Sequence, residues 1–362
     1  MPALDGIRGL AVAGVMLSHA AAGAPHLQGG AVGVDAFFVL SGFLITSILV
    51  REYDDNAGRI SMRRFYARRV LRLGPALIAL LLTILAGSWL FLDRAGARDN
   101  TIDVLITLFY ATNWARAFQL HAPNLLGHTW SLSIEEQFYI LWPMVLLLLL
   151  RRVRSRLHVV YLLGAAALGS WGLRAWMAWH GATVWRLYDG LDTRADSLLV
   201  GCALGVFLAS GLLQEEDRPA LAKWLKRLAP VSVAVFAWIT WSVTWKSPSL
   251  YYWLMAVVEV LVVLMILQIY TSERSPTATL LSLRPLVWTG SISYGLYLWH
   301  FPIYAVLRAT GRGPRGMVAG TILTFAIAAL SYYALERPIL RLKQRLRGSS
   351  TGTVAYRVTE RA

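Results

Sequence analysis

The sequence predicts an all-α integral membrane protein, a bundle of about ten transmembrane helices with both termini in the cytoplasm. Three observations carry this. Of 362 residues, 57% are hydrophobic and only 15% charged, with a mean hydropathy of +0.53. A soluble domain of this length would present far more charge to water. Apolar runs long enough to cross a bilayer recur along nearly the whole chain. The basic residues gather in alternate loops, as the positive-inside rule requires. The formal net charge of +15 would suggest nucleic acid in a soluble chain. Here the cations sit between apolar runs, so a lipid bilayer and anionic small molecules are the expected partners, and nucleic acid is not.

Taken in order, the first apolar run is 8–26. It is read as a retained span and not a cleaved leader, because Arg8 is its sole basic leader charge and His19 interrupts the apolar stretch. The second, 31–50, carries Asp35 near one end and Ser41–Gly42 inside. The third, 72–92, follows a strongly basic segment, 51–72, with Pro75 at its start. Segment 101–118 is more polar. If it crossed, the basic RRVRSR of 151–156 would share a side with the nearly uncharged loop 25–30, so it is expected to lie outside or dip in and return. The remaining spans are 134–150, 157–179, 196–213, 228–245, 250–271, 287–309 and 316–336. This alternation puts most of the 35 Lys and Arg on the cytoplasmic side. Residues 1–348 then form one membrane domain, ending in an amphipathic basic segment on the membrane surface. Residues 349–362 are polar and expected to be a disordered cytoplasmic tail. The single cysteine, Cys202, excludes an internal disulfide and any multi-cysteine metal site, and no metal ligand set is expected.

Several constellations bear chemistry. Arg8 and His19 are costly in an apolar helix and need a reason to be there. Eleven residues of helix rise about 16 Å, so the two lie roughly half a hydrocarbon core apart. In RRFYARRVLRLGP, Arg64, Arg68 and Arg72 repeat at helical spacing with Arg69 on a neighbouring face. They form either a lipid-phosphate anchor or a phosphate clamp. In HTWSLSIEEQFYILWP, Glu135 and Glu136 follow Ser131 and Ser133 and suit a capping box. They also point to different helix faces, so one can look inward. Glu136, Glu135 or Asp35 is therefore the expected carboxylate behind His19. In SISYGLYLWHFPI, the helical rise places His300 at about the depth of His19; an interfacial position is the alternative reading. In loop 180–196, Trp185, Tyr188, Asp189, Asp192, Arg194 and Asp196 suit a sugar, with rings for stacking and carboxylates for hydroxyls, or simply a solvated loop.

Together these residues resemble the opening and later motifs of the membrane-bound acyltransferase 3 family. LDGIRG with an R-x10-H spacing from Arg8 to His19, GVDAFFVLSGFLIT, the R-x-x-R of Arg69 and Arg72, HTWSLSIEEQFYILWP and SYGLYLWHFPI follow in the family's order over about residues 3–340. The resemblance implies transfer of an acyl group, acetyl being the expected one, from cytoplasmic acyl-CoA to a hydroxyl. The acceptor is commonly an extracytoplasmic glycan, and in some members a macrolide-like small molecule. His19 is then the catalytic histidine, as general base or as an acylated intermediate. Arg8, Arg69 and Arg72 serve acyl-CoA, with Arg64 and Arg68 as further phosphate contacts. Trp130, Tyr139 and Ser41 are candidates for the oxyanion donor, and His300, Trp185 and Asp189 for the acceptor. Some members carry a fused SGNH-type domain; this sequence resembles those that work without one. No tightly bound cofactor is implied, and the expected location is the plasma or inner membrane as a multi-pass protein. The rival class is a transporter or flippase, because polar groups in spans also mark substrate pathways. A third is a sensor that keeps the fold without the chemistry.

Overall fold

The computed structural model describes residues 1–21, 29–272 and 275–339. The expected surface helix beyond Ile339 and the tail 349–362 lie outside the described residues. Every described element is helical. In chain order these are α1 (Pro2–Ala20), α2 (Ala31–Asp55), α3 (Met62–Phe91), α4 (Arg94–Leu108), α5 (Thr112–Ala117), α6 (Trp130–Arg152), α7 (Arg156–Trp179) and α8 (Val184–Asp189). They continue with α9 (Ala195–Ala209), α10 (Arg218–Ser242), α11 (Met255–Thr271), α12 (Pro276–Leu281), α13 (Arg284–Ser291), α14 (Ser293–Ala309) and α15 (Pro314–Ser331). A 3-10 turn at Gly127–Thr129 leads into α6, and single π turns precede α11 and follow α15.

Five stretches are long and apolar enough to cross a membrane: Ala31–Asp55, Met62–Phe91, Gly127–Arg152, Leu250–Thr271 and Pro314–Ile339. Of the other apolar runs, those in α7 (24 residues) and α10 (25 residues) are long enough but less apolar, and others are shorter or divided. Helix α9 has 15 residues and rises only about 22 Å. Run 287–309 is split at Ile292 into α13 and α14. Segment 101–118 forms no continuous helix: it breaks after α4, where Tyr110 takes a positive φ of 52°, and resumes as the short α5. Helix α3 runs on through Pro75, whose missing N–H removes one rung of the ladder.

Helix α2 is the hub, buried against α9 over most of its length. Glycines make that approach possible. A methyl on Gly42 would collide with the Leu198 carbonyl, and one on Gly201 with the Val39 carbonyl, so each helix lays backbone on the other's glycine. Helix α1 packs on α13 in the same way, through Gly9 and Gly290. Large apolar side chains such as Leu90, Phe91, Trp179, Trp238, Ile322 and Leu330 point outward. Such an outer surface suits hydrocarbon and not water.

Beneath α2 and α9 lies a fully buried ionic network. Arg174 pairs with Asp196 at 2.5 Å, and Arg194 pairs with Asp35 at 2.6 Å. Ser197 Oγ stands 2.7 Å from Glu259 and 3.2 Å from Asp35. The single serine proton serves one of the two, and the shorter contact is to Glu259. This overturns two expectations. Asp35 is bound to Arg194 and Ser197 and not to His19, and Arg194 and Asp196 are interior groups and not solvated loop residues. A buried carboxylate takes a guanidinium where one is within reach, because an unpaired charge there is far costlier.

Candidate active site

Two polar constellations lie toward opposite ends of α1. At its C-terminal end, His19 lines a cavity of about 300 Å³. Its Nδ1 stands 2.9 Å from His300 Nε2, and the two rings stack with centroids 5.1 Å apart. The hydrogen-bond network assigns the tautomers. His300 Nδ1 faces the Leu296 and Tyr297 carbonyls at 3.0 and 2.7 Å. Carbonyls only accept, so Nδ1 carries the proton and neutral His300 keeps its lone pair at Nε2. His19 Nδ1–H then donates to His300, which leaves the lone pair of His19 on Nε2. An imidazole here does the orienting that a carboxylate was expected to do.

Aromatic rings make the rest of the chamber: Trp130, Trp185, Tyr188, Trp245, Tyr297 and Phe301. His128, in the turn before α6, donates Nε2–H to the Leu298 carbonyl at 3.2 Å and stacks on Phe301. Tyr297 donates to the His128 carbonyl at 2.6 Å and receives from Ser131, also at 2.6 Å. Arg116 enters from α5. Its Nε donates to Asp189 Oδ2 at 3.0 Å, and its guanidinium stacks over Trp185 at 4.7 Å. Burial pushes the Asp189 carboxyl up to about 6, against the opposing pull of Arg116.

The second constellation surrounds Arg8, roughly 16 Å along α1 by helical rise. Arg69 donates to Glu136 at 3.0 Å with its guanidinium 3.1 Å over the Tyr139 ring. Ser41 donates to Glu135 at 2.6 Å. Arg8 makes only a loose pair with Asp5, at 3.8 Å. Its charge acts on Arg72 more strongly than any other neighbour does. Arg72 has neither ion pair nor hydrogen bond among the described residues. Asp5 acts on both guanidiniums, and a phosphate between them would offset their repulsion further.

The structure therefore gathers His19, His300, Trp130 and Trp185 about the chamber, with Asp189 behind Arg116. It places Arg8, Arg69, Arg72, Glu135, Glu136, Ser41 and Tyr139 together at the other end. Neither glutamate contacts His19: Glu136 is held by Arg69 and Glu135 by Ser41. Ser41 and Tyr139 belong to that same end, which leaves Trp130 as the one oxyanion candidate lining the chamber. Arg68 pairs with Glu52 at 3.3 Å, and Arg64 is exposed near the start of α3. The sequence reading missed Arg116 and the inward face of His128. Arg116 sits in a short segment read only as an external or dipping element, and nothing in its spacing marks it as facing His19.

The acyltransferase 3 family model, described as an acyltransferase domain, matches residues 1–335. Among curated proteins, the peptidoglycan O-acetyltransferase OatA of Listeria monocytogenes is 34% identical over 94% of this chain and 56% of its own length. The O-acetyltransferase OatA of Staphylococcus aureus is 33% identical over 94% of this chain and 57% of its own. The chain thus spans a little over half the length of the curated relatives it matches. No solved structure matches it. With the apolar helices above, these likenesses make the chain a multi-pass membrane protein.

Proposed function

This chain belongs to the acyltransferase 3 family, and from that premise we propose that it is a membrane O-acyltransferase. It moves an acetyl group from cytoplasmic acetyl-CoA to a hydroxyl of an extracytoplasmic glycan. The topology proposed with it is ten spans with both termini in the cytoplasm, in the plasma or inner membrane. The observation that carries the reading is the His19–His300 pair, which leaves an oriented lone pair on His19 Nε2 in an aromatic chamber. Aromatic faces with few polar groups suit a sugar ring. The loosely paired Arg8 and its neighbour Arg72 at the other end suit the phosphates of CoA. The pantetheine arm would run between the helices to bring its thioester to His19.

His19 Nε2 takes the acceptor proton as the hydroxyl oxygen attacks the thioester carbonyl. Collapse of the tetrahedral intermediate breaks the C–S bond, and the imidazolium returns its proton to the departing thiolate. Two features also favour a single sugar ring over a whole macrolide. The volume of about 300 Å³ is at the lower bound for small-molecule pockets. The relatives above bear O-acetyltransferase names, one of them naming peptidoglycan.

The test is release of free CoA by the purified protein, from acetyl-CoA with glycan fragments as acceptors. His19→Ala is expected to lower kcat by about 10²–10⁴ while the protein remains folded. Absence of CoA release with every acceptor, alongside uptake of glycan precursors into vesicles, would favour the transporter reading instead.

A further inference from the structure

We propose that Arg116 is the catalytic residue that stabilises the oxyanion formed on the thioester carbonyl, an inference that rests on the acyl-transfer reading above. Among the described residues lining the chamber, Arg116 is the one formal cation, and none is a carboxylate. The hydroxyl donors are largely committed: Ser18 donates to the Val15 carbonyl at 2.8 Å and Tyr297 to the His128 carbonyl at 2.6 Å. Backbone amides reach the chamber at Gly30 and Ala31, in the first turn of α2, but as neutral donors. Beside them are indole N–H groups, the Tyr188 hydroxyl and the terminal nitrogens of Arg116. Charge-assisted donors are roughly twice as strong as neutral ones, so the guanidinium leads.

Its position is prepared from three sides. Asp189, fully buried, holds Nε and leaves the two terminal nitrogens without a protein partner among the described residues. Trp185 covers one face of the fork. Gly127 lets the fork lie against its backbone: a Cβ there would stand 2.9 Å from Arg116 Nη1. A donor held in place before the reaction needs no reorganisation as the charge develops, and this is where electrostatic catalysis is most effective. Arg116 and His19 line the same cavity, and the charge of one acts on the other.

The step balances as follows. The acceptor O–H bond breaks, with its proton passing to His19 Nε2 and its oxygen bonding to the carbonyl carbon. The carbonyl π pair moves to oxygen, beside Arg116. That pair re-forms the C=O bond as the C–S bond breaks, and the sulfur leaves as thiolate and takes the proton back from His19.

The experiment measures CoA release from acetyl-CoA, with water or uncharged N-acetylglucosamine as acceptor. It compares the wild-type protein with Arg116→Gln, Arg116→Lys and Gly127→Ala, each checked for folding by thermal unfolding in detergent. Arg116→Gln should lower kcat by about 10²–10³ with both acceptors and leave KM for acetyl-CoA unchanged. Arg116→Lys should recover only part of the rate, since a point charge cannot reproduce the fork. Gly127→Ala, which keeps the cation and displaces it, should fall between wild type and Arg116→Gln. Folded variants with wild-type kcat would overturn the inference alone. So would an effect confined to KM for negatively charged acceptors, which would make Arg116 an acceptor-binding group. A wild-type protein releasing no CoA under any condition would take down the acyl-transfer reading and this inference with it.

Discussion

The pair His19–His300 shows how one neutral imidazole can set the tautomer of another. The arrangement relies on His300 Nδ1 being tied to two backbone carbonyls, because a ring free to flip would offer its N–H and not its lone pair. His300→Phe keeps a ring for packing but removes the acceptor. It is expected to lower kcat by about 10² or more with little change in melting temperature, and His300→Gln should restore part of the rate. Asp189 supplies a second prediction. Its carboxyl ionises near pH 6 when folded and near 3.9 when unfolded, so the folded state binds the extra proton. Its contribution to stability is therefore full below about pH 4, declines as pH rises through about 6, and is constant above that. The ion pair with Arg116 forms over the same rise, and Arg194 is the other cation acting on Asp189. If Arg116 works only when so held, wild-type activity should gain a step near pH 6 that Asp189→Asn lacks. His19 is common to both proteins, so the difference between their pH profiles isolates the carboxyl. Arg8, His19 and His300 stood out in the sequence because polar groups in apolar helices demand a reason. Their partners did not stand out, since partners depend on which helices meet. Of Glu135 and Glu136, one is expected to cap α6 and the other to face His19, but Glu136 meets Arg69 and Glu135 meets Ser41, because which helices lie against α6 cannot be counted along the chain.

At the scale of elements, the crossing of α2 and α9 depends on Gly42 and Gly201. Gly201→Val should force the two backbones apart and cost about 1–3 kcal/mol, read as a lower unfolding temperature in detergent. The ionic network that joins α2, α7, α9 and α11 makes a sharper comparison. Glu259→Gln retains an N–H donor and an oxygen acceptor for Ser197, so its stability should stay near wild type. Glu259→Ala removes the nearer acceptor of Ser197, leaves a cavity and should destabilise clearly. Helix existence was well read from hydropathy, whereas helix breaks were not. The interruptions at Tyr110 and Ile292 occur at residues with no turn chemistry of their own. Tertiary packing sets them, and the break at Tyr110 is what brings α5, and Arg116 with it, to the chamber.

At the scale of the whole molecule, the proposed topology can be checked with the protein's own cysteine content. Cys202 is buried in the α2–α9 contact and should be silent to polar thiol reagents. A single added cysteine at Arg64 should then label only from the cytoplasmic side, and one at Leu120 only from outside. Labelling of position 120 from the cytoplasm would break the ten-span arrangement. The two ends of α1 carry one further consequence under the proposed reaction. Coenzyme and acceptor never share a compartment: the acetyl group moves outward, the acceptor's hydroxyl proton moves inward to the thiol, and no net charge crosses. Direction is then set by the free energy of the thioester. Delivery across the membrane should need neither an ion gradient nor a voltage, and turnover in vesicles should be the same at every imposed potential.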